Sequence, residues 1–534
     1  MIKTFPKKII EANKKKKGGS PEHITFESNK EGWKNVSNAD TKEPKWAPEQ
    51  GTAHEKIELG IHRFPILKDC HFKKASFKDR MLRRIIRQDT VFPLQDVFID
   101  ATNEECQQIL KEIDLCVGKA LPKPLHTWDE MDSNDALKRL FFYGPGAIFL
   151  TETKDEEVRK RLGPFVVDMS QDVNLEVRIG FRKYGVRAHF DAKQNLRCIY
   201  DAFYKKEVLP GDKMWAHAKH LLKQNFGMRI TFVNHLVQTH LCMANVIVNA
   251  MVTSLPPDHP VRRLLTVFTF RTSYINSAAA ESLTPEFSMS HRSSALTYKS
   301  MRQLMENGVK SCRIFQPFPE GPHATQGFQK LAKHGLFPYL EDGLAYHSTI
   351  KRFVTTWLSH ADETDAANKK TESNMDYLRN FYGEIYEQTE RYAHTIGSYE
   401  NDPLKFRAQV VELLTQCIFV VTAHHEIVGS LADFASDITF CAPRARIGAT
   451  RSDLQSFLIC AAVAALTSIR TPRLMSKFEN LFGKDGFPEW ERTCWEGFLD
   501  ELKGLHEKIS KKNETRPWAF RYMDPEVMES SVSI

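Results

Sequence analysis

Residues Ile230–Val252 read ITFVNHLVQTHLCMANVIVNAMV, and no charged residue interrupts the chain between Arg229 and Asp258. A helix of this composition has no polar face to turn to water, so it is expected to be buried on every side. Pro256, Pro257 and Pro260 close it, since proline cannot continue a helix. Two histidines, His235 and His240, sit inside the run. A buried imidazole without a partner is costly, so both must be hydrogen-bonded, paired or metal-bound. On a regular helix their five-residue spacing sets them about 140° apart. A π-bulge would bring positions i and i+5 to one side, and such bulges concentrate at functional sites. Asn245 repeats the step. A metal site and a pair of satisfied core histidines both remain open at this point. The zinc-protease pattern H-E-x-x-H is absent, and Cys242 has no second thiol near it in sequence.

A second cluster lies in Cys417–Phe434, CIFVVTAHHEIVGSLADF. His424 and His425 are adjacent, so on a helix at most one faces a given site. Glu426 beside them reads as a surface or supporting group rather than a ligand.

Working outward, most of the chain after residue 90 has helical periodicity. Helices are predicted over Asn103–Ile113, Trp215–Leu222 and onward, Leu344–Leu358, Met375–Ile396, Leu404–Phe434, Leu454–Ile469 and Pro488–Ile509. Strand-like pieces are few and short, around Ala147–Thr151 and Leu175–Phe181, and Glu363–Ser373 reads as an exposed polar loop. Residues 1–85 are Lys-, Glu- and Pro-rich and read as a basic, irregular extension ahead of a helical catalytic domain over 86–534.

Hydrophobic content of 42% and charged content of 26% are those of a globular protein, and the net charge of +7 gathers partly in Lys7, Lys8 and Lys14–Lys17. That run predicts a solvated tail with weak attraction to an anionic membrane surface. No basic and aromatic stripe recurs downstream, which excludes a nucleic-acid partner. Ten scattered cysteines without a C-x-x-C pair, and no signal-peptide core or unbroken membrane-length apolar run, give the expectation of a soluble, cytoplasmic protein.

The segment from Trp215 to Leu265 resembles the lipoxygenase signature in order and spacing. Trp215, Ala218 and Lys219 fit its W-x-x-A-K, and His235 follows Lys219 by sixteen residues, as in the family. His235 and His240 fit its first ligand pair; Leu255, Pro256, His259, Pro260, Leu264 and Leu265 fit L-P-x-x-H-P-x-x-x-L-L; Thr272, Ile275 and Asn276 fit T-x-x-I-N. FPYLEDGLAYHSTIKRFV (Phe337–Val354), the Thr422–His425 run and the final SSVSI continue the likeness over roughly residues 90–534. The resemblance implies a mainly α fold, a large helical lipoxygenase-type catalytic domain with a long buried central helix and few short strands. It implies one non-haem iron, with manganese possible, on His235, His240, His425 and the C-terminal carboxylate of Ile534. Imidazoles with a carboxylate suit such metals. It further implies that a metal(III) hydroxide takes a hydrogen atom from the 1,4-pentadiene of a polyunsaturated fatty acid, and that O2 then adds to give a hydroperoxide. Leu241, Ile275 and Ala279 fall where the family contacts substrate, and Ala279 implies an S-type product.

Several positions depart from the family. The fourth side-chain ligand position falls on Gly429, where a water is expected instead. Thr231 and the run Gly429–Ala432 replace a supporting glutamine pair, and Ala279–Ala280 lose a basic residue that could meet a carboxylate. The family's N-terminal lipid-binding β-sandwich has no counterpart in the composition of residues 1–85. These departures leave two alternatives beside dioxygenation: a hydroperoxide isomerase using the same metal, and a non-catalytic lipid-binding relict.

Overall fold

The structure, a computed structural model, describes residues 53–67, 96, 98–100, 102–116, 131–319, 321–367, 371–467, 472–478, 481 and 488–533. It begins with an antiparallel hairpin, β1 (Ala53–Leu59) and β2 (His62–Leu67), turning through Gly60 at φ +62°. Ile57, Leu59, Phe64 and Ile66 alternate with exposed residues and are buried, the period of a strand with one face on a core. This corrects the expectation of irregular chain through residue 85, because Lys and Glu on the outer face mask the alternation in composition. The division into an extension and a catalytic domain falls partly on residues outside those described.

Helices α1 (Asn103–Cys116) and α2 (Asn134–Phe142) follow, then five short strands pairing in sequence order. These are β3 (Leu150–Glu152), β4 (Phe165–Asp168), β5 (Val186–Phe190), β6 (Leu196–Asp201) and β7 (Lys206–Val208), all antiparallel. Of the two predicted strands, Ala147–Thr151 overlaps β3, whereas Leu175–Phe181 only bridges Leu296 through Val177 and Arg446 through Phe181.

The charge-free segment is the middle of one unbroken helix, α3, Trp215–Ser254. Around it lie α4 (Thr272–Ser282), α5 (Tyr298–Lys310), α6 (Pro338–Ala367), α7 (Thr371–Thr389) and α8 (Pro403–Gly429). The outer helices α9 (Leu454–Thr467) and α10 (Glu489–Asn513) complete the principal set. The molecule is mainly helical, with the predicted long buried helix at its centre. Both α3 and α8 are long and apolar enough to cross a membrane, but 89% and 78% of their apolar windows is buried inside the protein. Helix α6 runs to Ala367 and α7 starts at Thr371, so most of the predicted loop Glu363–Ser373 is helical. Pro488 caps α10 rather than opening it.

Two contacts fix the frame. Arg516 meets Asp342 on α6 with two bonds of 2.7 and 2.8 Å, and Glu341 at 2.7 Å. Gly227 on α3 lies so close to the chain at Cys441 that an added Cβ would sit 1.8 Å from the Cys441 carbonyl oxygen. Backbone cannot yield as a flexible side chain can, so only glycine fits. Gly227→Ala is therefore expected to cost about 1–3 kcal/mol through overpacking. Gly497→Ala on α10, where a Cβ meets nothing within 4 Å, should gain up to about 1 kcal/mol. Urea unfolding of both variants checks the pair.

Candidate metal centre

Within α3 the backbone widens into a π-helical stretch over Ile230–Asn245, and α8 does so over Val420–His424. Residues five apart then share a side, as the hydroxyl of Thr239 shows by donating to the Asn234 carbonyl at 2.7 Å. In consequence His240 Nε2 stands 3.1 Å from His235 Nε2, and His235 Nε2 stands 3.1 Å from His425 Nε2 on α8. The nearest ring nitrogens of all three lie within 4.8 Å of one another. His424, the adjacent histidine, takes no part in this cluster.

The protonation pattern decides what such a cluster is for. Asn276 on α4 gives its amide nitrogen to the His240 carbonyl (3.3 Å) and to Asn245 Oδ1 (3.5 Å), which leaves its oxygen facing His240 Nδ1 at 3.0 Å. His240 Nδ1–H therefore donates to Asn276, and a neutral His240 turns the Nε2 lone pair toward the other two rings. His235 faces a cavity yet is enclosed by protein. Burial, and then its two histidine neighbours, hold it well below the ordinary imidazole pKa. Lone pairs brought this close repel unless a shared proton or a metal ion lies between them. With metal–nitrogen bonds of about 2.0–2.1 Å, ligands at right angles sit about 3 Å apart, close to the observed spacing. The donor set could hold a metal ion, and imidazole nitrogens suit iron as well as zinc.

Gly429 sits at the edge of the cluster, where an added Cβ would be 3.4 Å from His235 Nε2 and 3.8 Å from His425 Nε2. It offers no side chain. Ile534 lies outside the described residues, but the chain leading to it is fully enclosed: Ser530, Val532 and Ser533 are all buried. The hydroxyl of Thr272 donates to the Val532 carbonyl (3.1 Å), and Ser531 donates to the Phe270 carbonyl (2.8 Å).

A cavity of about 260 Å³ opens beside the histidines. Thr231, His235 and His240 of α3, Ile275, Ala278 and Ala279 of α4, and Val428 and Gly429 of α8 form its inner wall. Met289, Ser290, Cys441, Pro443, Ile459 and Cys460 close the outer part, and among the described residues no Asp, Glu, Lys or Arg lines it. Of the predicted substrate contacts, Ile275 and Ala279 are on this wall. Leu241 is not; it is fully buried in the core, turned away from His240 by its place one residue on. In the sequence Asn276 is one letter of the T-x-x-I-N motif, and no motif points to the outer wall. The asparagine two residues before the alanine run Ala278–Ala280 is the one available signal.

A model of the lipoxygenase family matches residues 190–431. The rat arachidonate 12-lipoxygenase, 12R-type, is 23% identical over 350 residues, covering 61% of this chain and 47% of the relative. The chain thus spans about half the length of the curated relatives it matches. A lipoxygenase crystallised anaerobically in complex with arachidonate superimposes with a TM-score of 0.67 at 15% identity, covering 96% of this chain and 82% of its own. The manganese lipoxygenase of Gaeumannomyces graminis gives a TM-score of 0.60 at 16% identity, covering 95% and 99%.

Two outcomes follow from the geometry. Asn276→Ala frees His240 to rotate or switch tautomer, and should weaken metal binding by about 10- to 100-fold, read by chelator competition on folded protein. Burial also holds His259, His323 and His424 down to about 4. The unfolded chain takes up these protons near pH 6.5 and the folded chain does not, so stability is full above that value. Metal-free protein should lose thermal stability steadily as pH falls from about 6.5 toward about 4.

Proposed function

We propose that this chain, which carries a lipoxygenase domain over residues 190–431, inserts dioxygen into a polyunsaturated fatty acid at a metal on His235, His240 and His425. One observation carries the reading: three imidazoles face one another, and two of them, His235 and His240, stand on the wall of an apolar cavity whose described lining carries no Asp, Glu, Lys or Arg. Iron or manganese, when bound, supplies one-electron redox chemistry suited to removing hydrogen from a bis-allylic carbon. The remaining work belongs to the chain. Asn276 holds the His240 tautomer. Ile275 and Ala279, one helical turn apart on α4, present an aliphatic surface along which a hydrocarbon chain can lie. The absence of charge keeps water from being ordered beside a carbon radical. The arachidonate complex of a structural neighbour agrees with an acyl occupant of this size class.

The ligand set is completed, in this proposal, by the carboxylate of Ile534. Its support is the enclosed path of residues 530–533 and their bonds to Phe270 and Thr272. A second reading, conversion of a preformed hydroperoxide, is favoured by Thr231 on the cavity wall and by the bare Gly429. Both leave the surroundings of the metal less constrained than a fully supported site.

Incubation with linoleate or arachidonate should give a conjugated diene with matching oxygen uptake. Loss of added hydroperoxide without oxygen uptake would instead select the second reading. Native protein should contain about one iron or manganese ion per chain, lost in His240→Ala, since ligand removal empties such sites. One residue added after Ile534 should lower both metal content and turnover; unchanged values would remove Ile534 from the ligand set.

A further inference from the structure

Ile179 is 97% exposed and Ile447 60%, more than any neighbouring apolar residue requires. They are not scattered. Ile447 N–H donates to the Gly180 carbonyl at 3.1 Å, and Phe181 bridges Arg446, so the two tips stand side by side. Phe98 packs on Phe181 edge to face at 5.2 Å and lies against Gly180. Arg182 carries Phe203 and Tyr204 over its guanidinium at 4.7 and 4.4 Å, and both rings are largely exposed. Together these observations put five exposed apolar side chains, Ile179, Ile447, Phe98, Phe203 and Tyr204, on neighbouring turns and loops. The patch is carried on turns, with Gly180, Lys205 and Gly448 all at positive φ.

Two lysines beside it stand apart from the ion pairs of the neighbouring arginines. Lys205 and Lys206 are exposed beside Tyr204, and Arg446 lies over the Phe98 ring. Arg182 is neutralised by Asp201, and Asp100 stands 3.6 Å from Arg446. The two loops are also tied to the cavity. Arg178 donates to the carbonyls of His291, Ser294 and Leu296 at 2.8 Å, holding the segment that includes Ser290 and Ser293 of the cavity lining. Tyr184 hydrogen-bonds the carbonyl of Pro443, another lining residue, four positions before Ile447.

We infer that Ile179, Ile447, Phe98, Phe203 and Tyr204 form a docking surface for an anionic lipid membrane, set on the outer wall of the acyl cavity. Exposed aliphatic and aromatic tips beside lysines suit the boundary between headgroups and acyl chains. A protein interface is depleted in lysine relative to the rest of the surface, whereas Lys205 and Lys206 stand beside Tyr204. The inference rests on the cavity taking a lipid, because an acyl substrate is delivered from such a surface.

The test is co-sedimentation of the full chain with vesicles of phosphatidylcholine containing phosphatidylserine, and with phosphatidylcholine alone. Wild type should bind the anionic vesicles more tightly. Ile179→Asp/Ile447→Asp should bind them at least about tenfold more weakly, given the apolar area withdrawn, with an unchanged melting temperature. Lys205→Glu/Lys206→Glu should lose only the preference for phosphatidylserine. Binding that survives the isoleucine pair, or that disappears only when Lys14–Lys17 are neutralised, overturns the proposal. So does a wild-type dimer in sedimentation velocity that the isoleucine variant abolishes while vesicles remain unbound. The readout needs no turnover: a variant that no longer docks should still oxygenate fatty acid dispersed in detergent. Docking without any turnover would leave this surface standing and remove the dioxygenase reading.

Discussion

Everything in this molecule is arranged around the burial of α3. A helix with no charge over its central length must be enclosed by other helices, and the two imidazoles inside it must then be satisfied without water. An ordinary α-helix would point them to different neighbours. The π-helical stretch Ile230–Asn245 places them on one side, 3.1 Å apart, and the matching stretch in α8 delivers His425 to the same point. Two wide-turn segments meeting in a core are uncommon, since the π form is rarely sustained. Here the packing of α4, α5, α7 and α8 around α3 overrides local preference.

Much of this was legible. The uncharged run, its closing prolines and the i, i+5 histidines identified the central helix and the need for a widened turn. The family-like motifs also find structural reasons. Asp342, in the run FPYLEDG, is the buried acid that receives both arms of Arg516. His259 caps the following helix by accepting from Val261 N–H. Gly429 falls beside the cluster because α8 carries it one turn past His425.

What was hidden has physical causes. The hairpin Ala53–Leu67 sits in a stretch whose exposed face is charged, so composition concealed an alternation of two. Strands β4 and β5 are four and five residues long, too short for periodicity to separate them from buried turns. Leu241 followed a family position, and its side chain is buried in the core beside the cavity lining rather than in it. The outer cavity wall joins residues from 289 to 460, and no local pattern reports contacts over such separations. Asn276 was visible as a letter and not as a role, because a hydrogen-bond direction depends on Asn245 as well.

The helix α4 serves two masters one turn apart. Thr272 at its start holds the carbonyl of Val532, and Asn276 holds His240. Any movement of α4 is thus shared between the end of the chain and the imidazole cluster. Thermodynamic reciprocity then applies: whatever factor seating of the tail adds to ligand affinity at the histidines, a ligand at the histidines adds to seating of the tail. The Thr272–Val532 bond that joins the two processes spans 260 residues of sequence, and through it they form a single equilibrium observed from opposite ends. Fraying of the last residues becomes a measure of occupancy at the centre.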